Sequence, residues 1–188
     1  IPNTDARIVD LVSGEELPPD QIGELVIKGP QVMQGYWQNT EETEAVLKEG
    51  WLYTGDVAVM DSDGYFQIIS RKRDTIMSGE FSVYPRDVEE VIYENNKVLE
   101  VAVVGVPTDP AKRQDGSAKI KAFVVPRPGT DLSEEELLDL CRRRLKDYEV
   151  PWEVEFRETL PKSFVGKVLR RMLLKDEMAE SETSSQGE

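Results

Sequence analysis

Asp56-Val57-Ala58-Val59-Met60-Asp61-Ser62-Asp63-Gly64-Tyr65-Phe66-Gln67-Ile68-Ile69-Ser70-Arg71-Lys72-Arg73-Asp74 is the stretch on which the fold turns. Two apolar-rich runs, Asp56–Met60 and Tyr65–Ile69, flank Asp61-Ser62-Asp63-Gly64. Asp and Gly supply the local hydrogen bonds and backbone freedom of a tight turn, so a β-hairpin is expected. Beyond it stands Arg71-Lys72-Arg73, where the charge balance changes. Residues 1–70 hold 3 basic and 13 acidic side chains, residues 71–175 hold 20 and 19, and residues 176–188 hold none and 5. The run 71–73 therefore reads as a boundary between two domains.

Working upstream, Ala6–Asp10 and Ile22–Lys28 read as strands, with turn residues Ser13-Gly14 and Pro18-Pro19 between them. Thr40 to Leu47 reads as a short helix capped by Thr40. Several short strands within seventy residues predict a small β unit, part of a barrel. Downstream the style changes. Pro85 suits the first turn of a helix, and Asp87, Glu89 and Glu90 favour the positive end of its dipole. Val88, Val91 and Ile92 recur at helical spacing. Val98–Val106 and Lys119–Val125 are β-rich runs. Ser133 and Glu136 make an S-x-x-E capping signal before Leu137, Leu138, Cys141 and Leu145. A last helix is expected from Val168 to about Met178, and a disordered polar tail after it. Strands mixed with helices, without strict alternation, give an α+β class.

Composition excludes much. A chain of 188 residues, 39% hydrophobic and 32% charged, is ordinary globular material for one domain or two small ones. No apolar run approaches the roughly 20 residues of a membrane span. The single cysteine, Cys141, excludes an internal disulfide framework and suits a reducing compartment, read as the cytoplasm. With no histidine, Ser-His-Asp and Cys-His mechanisms are excluded within the chain, and so is a zinc finger. A net charge of −14 argues against bulk-charge binding of nucleic acid or anionic membrane.

Four constellations carry chemistry. Thr54-Gly55-Asp56, placed at a strand start, presents a carboxylate that can accept from two vicinal hydroxyls, as on ribose; its ordinary reading is a turn. Arg71-Lys72-Arg73-Asp74 offers a planar guanidinium fork to phosphate or ribose oxygens, or is simply a solvated basic run. Ser78-Gly79-Glu80 contains a glycine that permits close ligand approach, or forms a turn before the helix at Pro85. In Pro161–Arg171, Lys167 follows Gly166 and offers a mobile charge just before a helix start, or is an ordinary surface lysine. No G-x-x-x-x-G-K-[ST] phosphate loop is present.

Taken together and in this order, the pieces resemble the adenylate-forming (ANL) superfamily. The resemblance is greatest to AMP-forming acyl-CoA synthetases of the long-chain fatty acid–CoA ligase kind. It is carried by Gly23–Ile27, Gln34-Gly35-Tyr36-Trp37, Gly50–Asp56, Arg71–Asp74 with Ser78–Pro85, and Pro161–Arg171. It implies attack of a carboxylic acid on the α-phosphate of ATP, giving an acyl-adenylate, and then displacement of AMP by the thiol of coenzyme A. A small C-terminal domain rotates between the two steps. By the same resemblance, Asp56 and Arg71 bind nucleotide, Arg73 is the hinge, Lys167 is the catalytic lysine of adenylation, and Ser78 and Gly79 approach the CoA arm. ATP, Mg²⁺ and coenzyme A belong to the full-length enzyme, with none held tightly by this chain. The partner is a fatty acid, with no nucleic acid and with peripheral membrane contact allowed.

The resemblance also divides the chain. Residues 1–70 correspond to the last β subdomain of a large N-terminal domain, 71–73 to the hinge, 74–178 to the swinging lid and 179–188 to the tail. The phosphate loop, adenine pocket and acid pocket of the family are absent from this stretch, so a C-terminal fragment, inactive alone, is expected. Three positions depart from the family pattern. Arg73 stands where Asp or Lys is usual, Ser70 stands where glycine often precedes the arginine, and Glu80 replaces the second glycine of Ser-Gly-Gly. The Glu80 carboxylate bears on CoA use. The stretch Val106–Lys121 is longer than usual, with Lys112 and Arg113 as candidates for the CoA phosphate or as a solvated loop. Two other readings stay open: an adenylation domain serving a carrier-protein thiol, and a non-catalytic nucleotide-binding module.

Overall fold

The computed structural model describes residues 2–108 and 118–184, and the chain divides into two units, Ile1–Arg73 and Asp74–Glu188. In the first unit, strands β1 (Asp5–Val9), β2 (Ile22–Lys28), β3 (Leu47–Lys48), β4 (Trp51–Met60) and β5 (Phe66–Arg71) form one sheet. Its order is β1-β2-β4-β3, with β5 also on β4, and its pairs are all antiparallel. This is the partial barrel-like sheet expected. Ile8, Val9, Val26, Val57 and Ala58 are its buried residues.

The expected hairpin joins β4 to β5. Asp61 Oδ1 accepts from the Asp63 and Tyr65 amides at 3.0 and 2.8 Å, which fixes the turn. The short helix α1 (Thr40–Val46) is also present, but its cap differs. Asn39, not Thr40, accepts the Glu42 amide at 3.1 Å. Asn is at least as good an N-cap as Thr, and Thr43 Oγ1 closes the same turn by donating to the Asn39 carbonyl at 2.7 Å.

The second unit is built on a three-stranded sheet of β8 (Val98–Pro107), β9 (Ala118–Pro126) and β10 (Glu153–Phe156), in order β10-β9-β8. β8 and β9 are antiparallel, whereas β10 runs parallel to β9. Helix α3 (Glu134–Arg144) lies between them in sequence and supplies the crossover that a parallel pair needs. Both faces are covered, so β8 and β9 carry apolar residues on both faces rather than on alternate ones, with Glu100, Lys119 and Lys121 as exceptions. Val101, Val103, Ile120, Ala122 and Val124 face α2 (Pro85–Tyr93) and α3. Ala102, Val104, Phe123 and Val125 face Leu160 and Leu173, the latter on α4 (Arg170–Ser184). Phe123, fully buried, anchors this second layer; its truncation to alanine would cost about 3–5 kcal/mol.

The helices follow their sequence signals with two differences. Ser133 caps α3 by accepting the Glu136 amide at 3.2 Å. The Glu136 side chain accepts instead from Asn95 and Lys97, at 2.8 and 2.7 Å, and ties α3 to the end of α2. The final helix starts at Arg170 rather than Val168 and continues to Ser184, past the expected end near Met178. Residues 185–188 lie outside the described residues. Helix α4 docks partly through Lys121, a buried lysine on β9. Burial alone would pull its ammonium down. Glu177 at 2.7 Å, Glu155 at 2.9 Å and Glu153 at 3.2 Å outweigh that and hold it above the usual lysine range. A two-stranded ribbon, β6 (Ile76–Ser78) and β7 (Phe81–Val83), completes the unit. No helix among the described residues is long and apolar enough to cross a membrane.

Candidate functional site

The Thr54-Gly55-Asp56 motif does not begin a strand. It lies within the ten-residue β4, at a bulge. Val57 faces Glu24 and Tyr53 faces Val26, so Thr54, Gly55 and Asp56 stand against Leu25 alone. Each residue has a job there. Gly55 takes φ +70°, which an L side chain rarely adopts. Thr54 Oγ1 donates to the Leu25 carbonyl at 2.7 Å and accepts from the Asp56 amide at 3.1 Å. A bulge re-aims the side chains it contains, here that of Asp56.

Asp56 and Arg71 are cross-strand partners on β4 and β5, and Arg71 Nε lies 2.8 Å from Asp56 Oδ1. Arg71 is half exposed and Asp56 about a quarter. A pair this exposed contributes at most about 1 kcal/mol to stability. What it does provide is a carboxylate with acceptor capacity to spare beside an outward guanidinium. Fifteen residues of chain separate them in sequence, and one step of antiparallel ladder joins them.

Glu24 is the member of this site that sequence reasoning missed. It is buried, accepts from the Gly55 amide at 3.1 Å through one oxygen, and accepts from Lys72 Nζ at 2.8 Å through the other. It thereby ties the β4 bulge to the chain leaving β5. Its signal was available, since Glu24 shares a strand face with the core residue Val26. Next to it, a cavity of about 380 Å³ is lined by Met33, Tyr36, Tyr53, Thr54, Gly55 and Lys72, among others.

Lys167 belongs to the second unit, on an exposed turn before α4. Ser163 donates its amide to the Lys167 carbonyl at 2.8 Å, Gly166 donates to the Ser163 carbonyl at 2.9 Å, and Ser163 Oγ accepts the Lys167 amide at 3.2 Å. Gly166 takes φ +80°. Phe164, at the tip, is fully exposed and Val165 largely so. The Lys167 side chain has no acidic partner among the described residues of its unit.

Ser78 and Gly79 sit on the β6–β7 ribbon. Ser78 pairs with Phe81, and Gly79 and Glu80 form a two-residue loop whose first residue has φ +64°. Gly at that position is what a tight hairpin loop of this handedness requires, so the turn role and an open approach coexist: nothing lies within 4 Å of where a Gly79 Cβ would be. Glu80 is exposed at the tip. Arg73 ends the first unit, inside a short 3-10 turn of Lys72–Asp74. Lys112 and Arg113 lie outside the described residues. The expected residues thus fall into two sets, Asp56 and Arg71 on one unit, Ser78, Gly79 and Lys167 on the other. Among the described residues no group of three or more acidic or cysteine side chains converges as metal ligands do.

The chain matches the AMP-binding enzyme C-terminal domain over residues 87–167 and the AMP-binding enzyme family over residues 1–37. The chain therefore carries parts of the AMP-binding enzyme domain and of its C-terminal domain. A long-chain-fatty-acid–CoA ligase of Bacillus subtilis is 48% identical over 176 residues, which is 94% of this chain and 30% of that protein. This chain thus spans about a third of the length of the curated relatives it matches, at their C-terminal end. Among solved structures, ATP-bound MatB from Rhodopseudomonas palustris superposes with a TM-score of 0.84 at 33% identity, covering 94% of this chain and 34% of MatB. The O-succinylbenzoate coenzyme A synthetase MenE of Bacillus subtilis, in complex with ATP and magnesium ion, gives 0.78 at 30% identity, covering 91% and 34%.

Proposed function

We propose that this chain is the C-terminal part of an ATP-dependent, AMP-forming acid–thiol ligase acting on a long-chain fatty acid. The observation that carries the reading is the Asp56–Arg71 pair, set by a bulge on adjacent strands, together with a lysine on a projecting turn in a separate unit. The donors suit ATP. Asp56 accepts from the ribose hydroxyls, and Arg71 lies beside the nucleotide. Lys167 pairs with the acid's carboxylate and the α-phosphate as negative charge builds up during adenylation. Displacement at phosphorus depends mostly on positioning and charge stabilisation, so a chain without histidine can serve it.

Arg73 is the hinge in this reading. Rotation there withdraws Lys167 after the first step and brings Ser78 and Gly79 to the pantetheine arm of coenzyme A. Mg²⁺ accompanies ATP, with no residue of this chain assigned to it. The compartment is the cytoplasm, with peripheral membrane contact where the fatty acid is drawn from a bilayer. The isolated chain is inactive, because the remaining two thirds of the ligase length would hold the acid and the triphosphate. Glu80 favours a second reading, a carrier-protein thiol as acceptor, since its exposed carboxylate repels an anionic cofactor.

The test is ATP-dependent pyrophosphate release by the chain extended upstream, against carboxylic acids of graded length, with and without coenzyme A. Release that tracks chain length, with AMP and acyl-CoA as products, supports the ligase. Release without thioester moves the acceptor to a carrier protein. No release with any acid leaves a nucleotide-binding module. Acyl-CoA formation by the 188-residue chain alone would contradict its predicted inactivity.

A further inference from the structure

Lys167 sits on a turn shaped by its own hydrogen bonds and anchored to the sheet by Val168, which packs against the second core layer, and by Lys162, paired with Glu100 of β8 at 2.6 Å. Three residues beyond Lys167, Arg170 adds a different constraint, toward α2 and the chain leaving residue 73. Its Nη2 donates to both carboxylate oxygens of Glu89 on α2, each at 2.8 Å. Glu89 is buried, and its Oε1 also accepts the Val103 amide of β8 at 2.8 Å. On the other side, Arg170 Nη1 lies 3.8 Å from Asp74 Oδ2, and Asp74 is the first residue after Arg73. One guanidinium therefore links the chain leaving residue 73, helix α2, strand β8 and the start of α4.

Glu89 is buried while Arg170 is about a third exposed, and an ion pair with a desolvated member is a poor stabiliser, because an apolar pair of similar volume often serves stability equally well. What it supplies is a defined geometry. Glu89's carboxyl is raised by burial even with Arg170 beside it, so the charged pair is retained at a desolvation cost. The alternating faces of β8 do not need it, since Val101 and Val103 already pack there.

We propose that Glu89 and Arg170 are a positioning pair that fixes the Lys167 turn rigidly to the chain leaving the hinge, so that rotation about residue 73 delivers the ammonium to one place. The inference rests on the reading of Lys167 as the adenylation lysine. Glu89 and Arg170 touch no substrate and act through Lys167. Without the pair, the turn keeps its shape and its anchorage on β8 but loses its tie to α2 and to the chain leaving the hinge.

The experiment measures both half-reactions in the upstream-extended protein for Glu89→Gln, with and without Lys167→Ala. Glutamine keeps an acceptor for the Val103 amide and removes the charge. Adenylation should fall about 10-fold in kcat, with the KM for ATP changed by less than about twofold, as expected for a displaced reacting group. Thioester formation from supplied acyl-adenylate should stay within about twofold, and in the Lys167→Ala background the added substitution should cost less than about twofold. Arg170→Lys, which keeps the charge and loses the fork, should lower the adenylation rate less than Arg170→Ala does.

An equal fall in both half-reactions, a full effect persisting without Lys167, or no effect of Glu89→Gln would each overturn the positioning role. If instead Lys167→Ala leaves adenylation intact, the reading of Lys167 fails first and the pair's role goes with it. Backbone amide exchange in the 188-residue chain guards against unfolding. Glu89→Gln should speed exchange in residues 163–169 and leave β8 and β9 protected, and loss of protection throughout the unit would make the pair merely structural.

Discussion

Asp56 and Lys167 are held in opposite ways. Asp56 sits in a bulge inside a five-stranded sheet, with Thr54, Glu24 and Arg71 all bonded around it and Val57 and Ala58 buried just beyond. Lys167 stands on an exposed turn, held by local backbone bonds and by the grip of Arg170 on Glu89 three residues later. Both positions come after a glycine at positive φ, Gly55 and Gly166. The same local device thus precedes a fixed carboxylate in one unit and a projecting charge in the other. A ligand that stays through two chemical steps suits the first arrangement. A group needed in only one step suits the second.

The largest effect should come from the projecting charge. Lys167→Ala in the upstream-extended protein should lower pyrophosphate release on the order of 10²-fold or more, as loss of a transition-state charge contact does. Next comes the fixed carboxylate. Asp56→Asn should raise the KM for ATP by roughly 10- to 100-fold, the range for removing charged acceptors of hydrogen bonds. Steady-state kinetics on both variants check these values.

The two glycines compare the frameworks directly. In neither place would an added Cβ meet anything within 4 Å, so only backbone strain is at issue. That strain is about 1–2 kcal/mol for an alanine at positive φ. Gly55→Ala should lower the melting temperature of the first unit by about 5–10 °C. Gly166→Ala should lower that of the second unit by less than about 2 °C, because an exposed turn relaxes locally. Equal shifts in scanning calorimetry would break the comparison.

A separate effect concerns Cys141, on the buried face of α3, where burial pushes the thiol from 9.0 up to about 11. An acid with a raised folded value contributes stability that is complete below pH 9 and lost as pH rises through about 11. Urea unfolding across that window should show a decline that Cys141→Val removes, and the native thiol should resist aromatic disulfide reagents near neutral pH.

The parts legible in the sequence were those with local causes. The Asp61–Gly64 turn, Pro85 opening α2, Ser133 capping α3 and the apolar-rich runs of β8 and β9 each carry their signal within a few residues. The parts that were not legible depend on pairing across the chain. Strand β10 is four residues alternating glutamate with Val154 and Phe156, and becomes a strand only beside β9. Asp56 looked like the start of a strand because Thr54-Gly55 has turn chemistry, and the ladder to β2 turns that chemistry into a bulge. Glu24 and Glu89 are single acids on otherwise apolar faces, and their partners Lys72 and Arg170 lie 48 and 81 residues away.

The most direct measurement is a pair of half-reactions on a pair of variants. Pyrophosphate release from ATP and fatty acid, and acyl-CoA formation from supplied acyl-adenylate, would be timed for Asp56→Asn and Lys167→Ala. Asp56→Asn should impair both, since the nucleotide is held throughout. Lys167→Ala should abolish the first and spare the second. Lys167→Ala depressing both steps equally, or neither, would contradict the division between a fixed nucleotide site and a moving lysine.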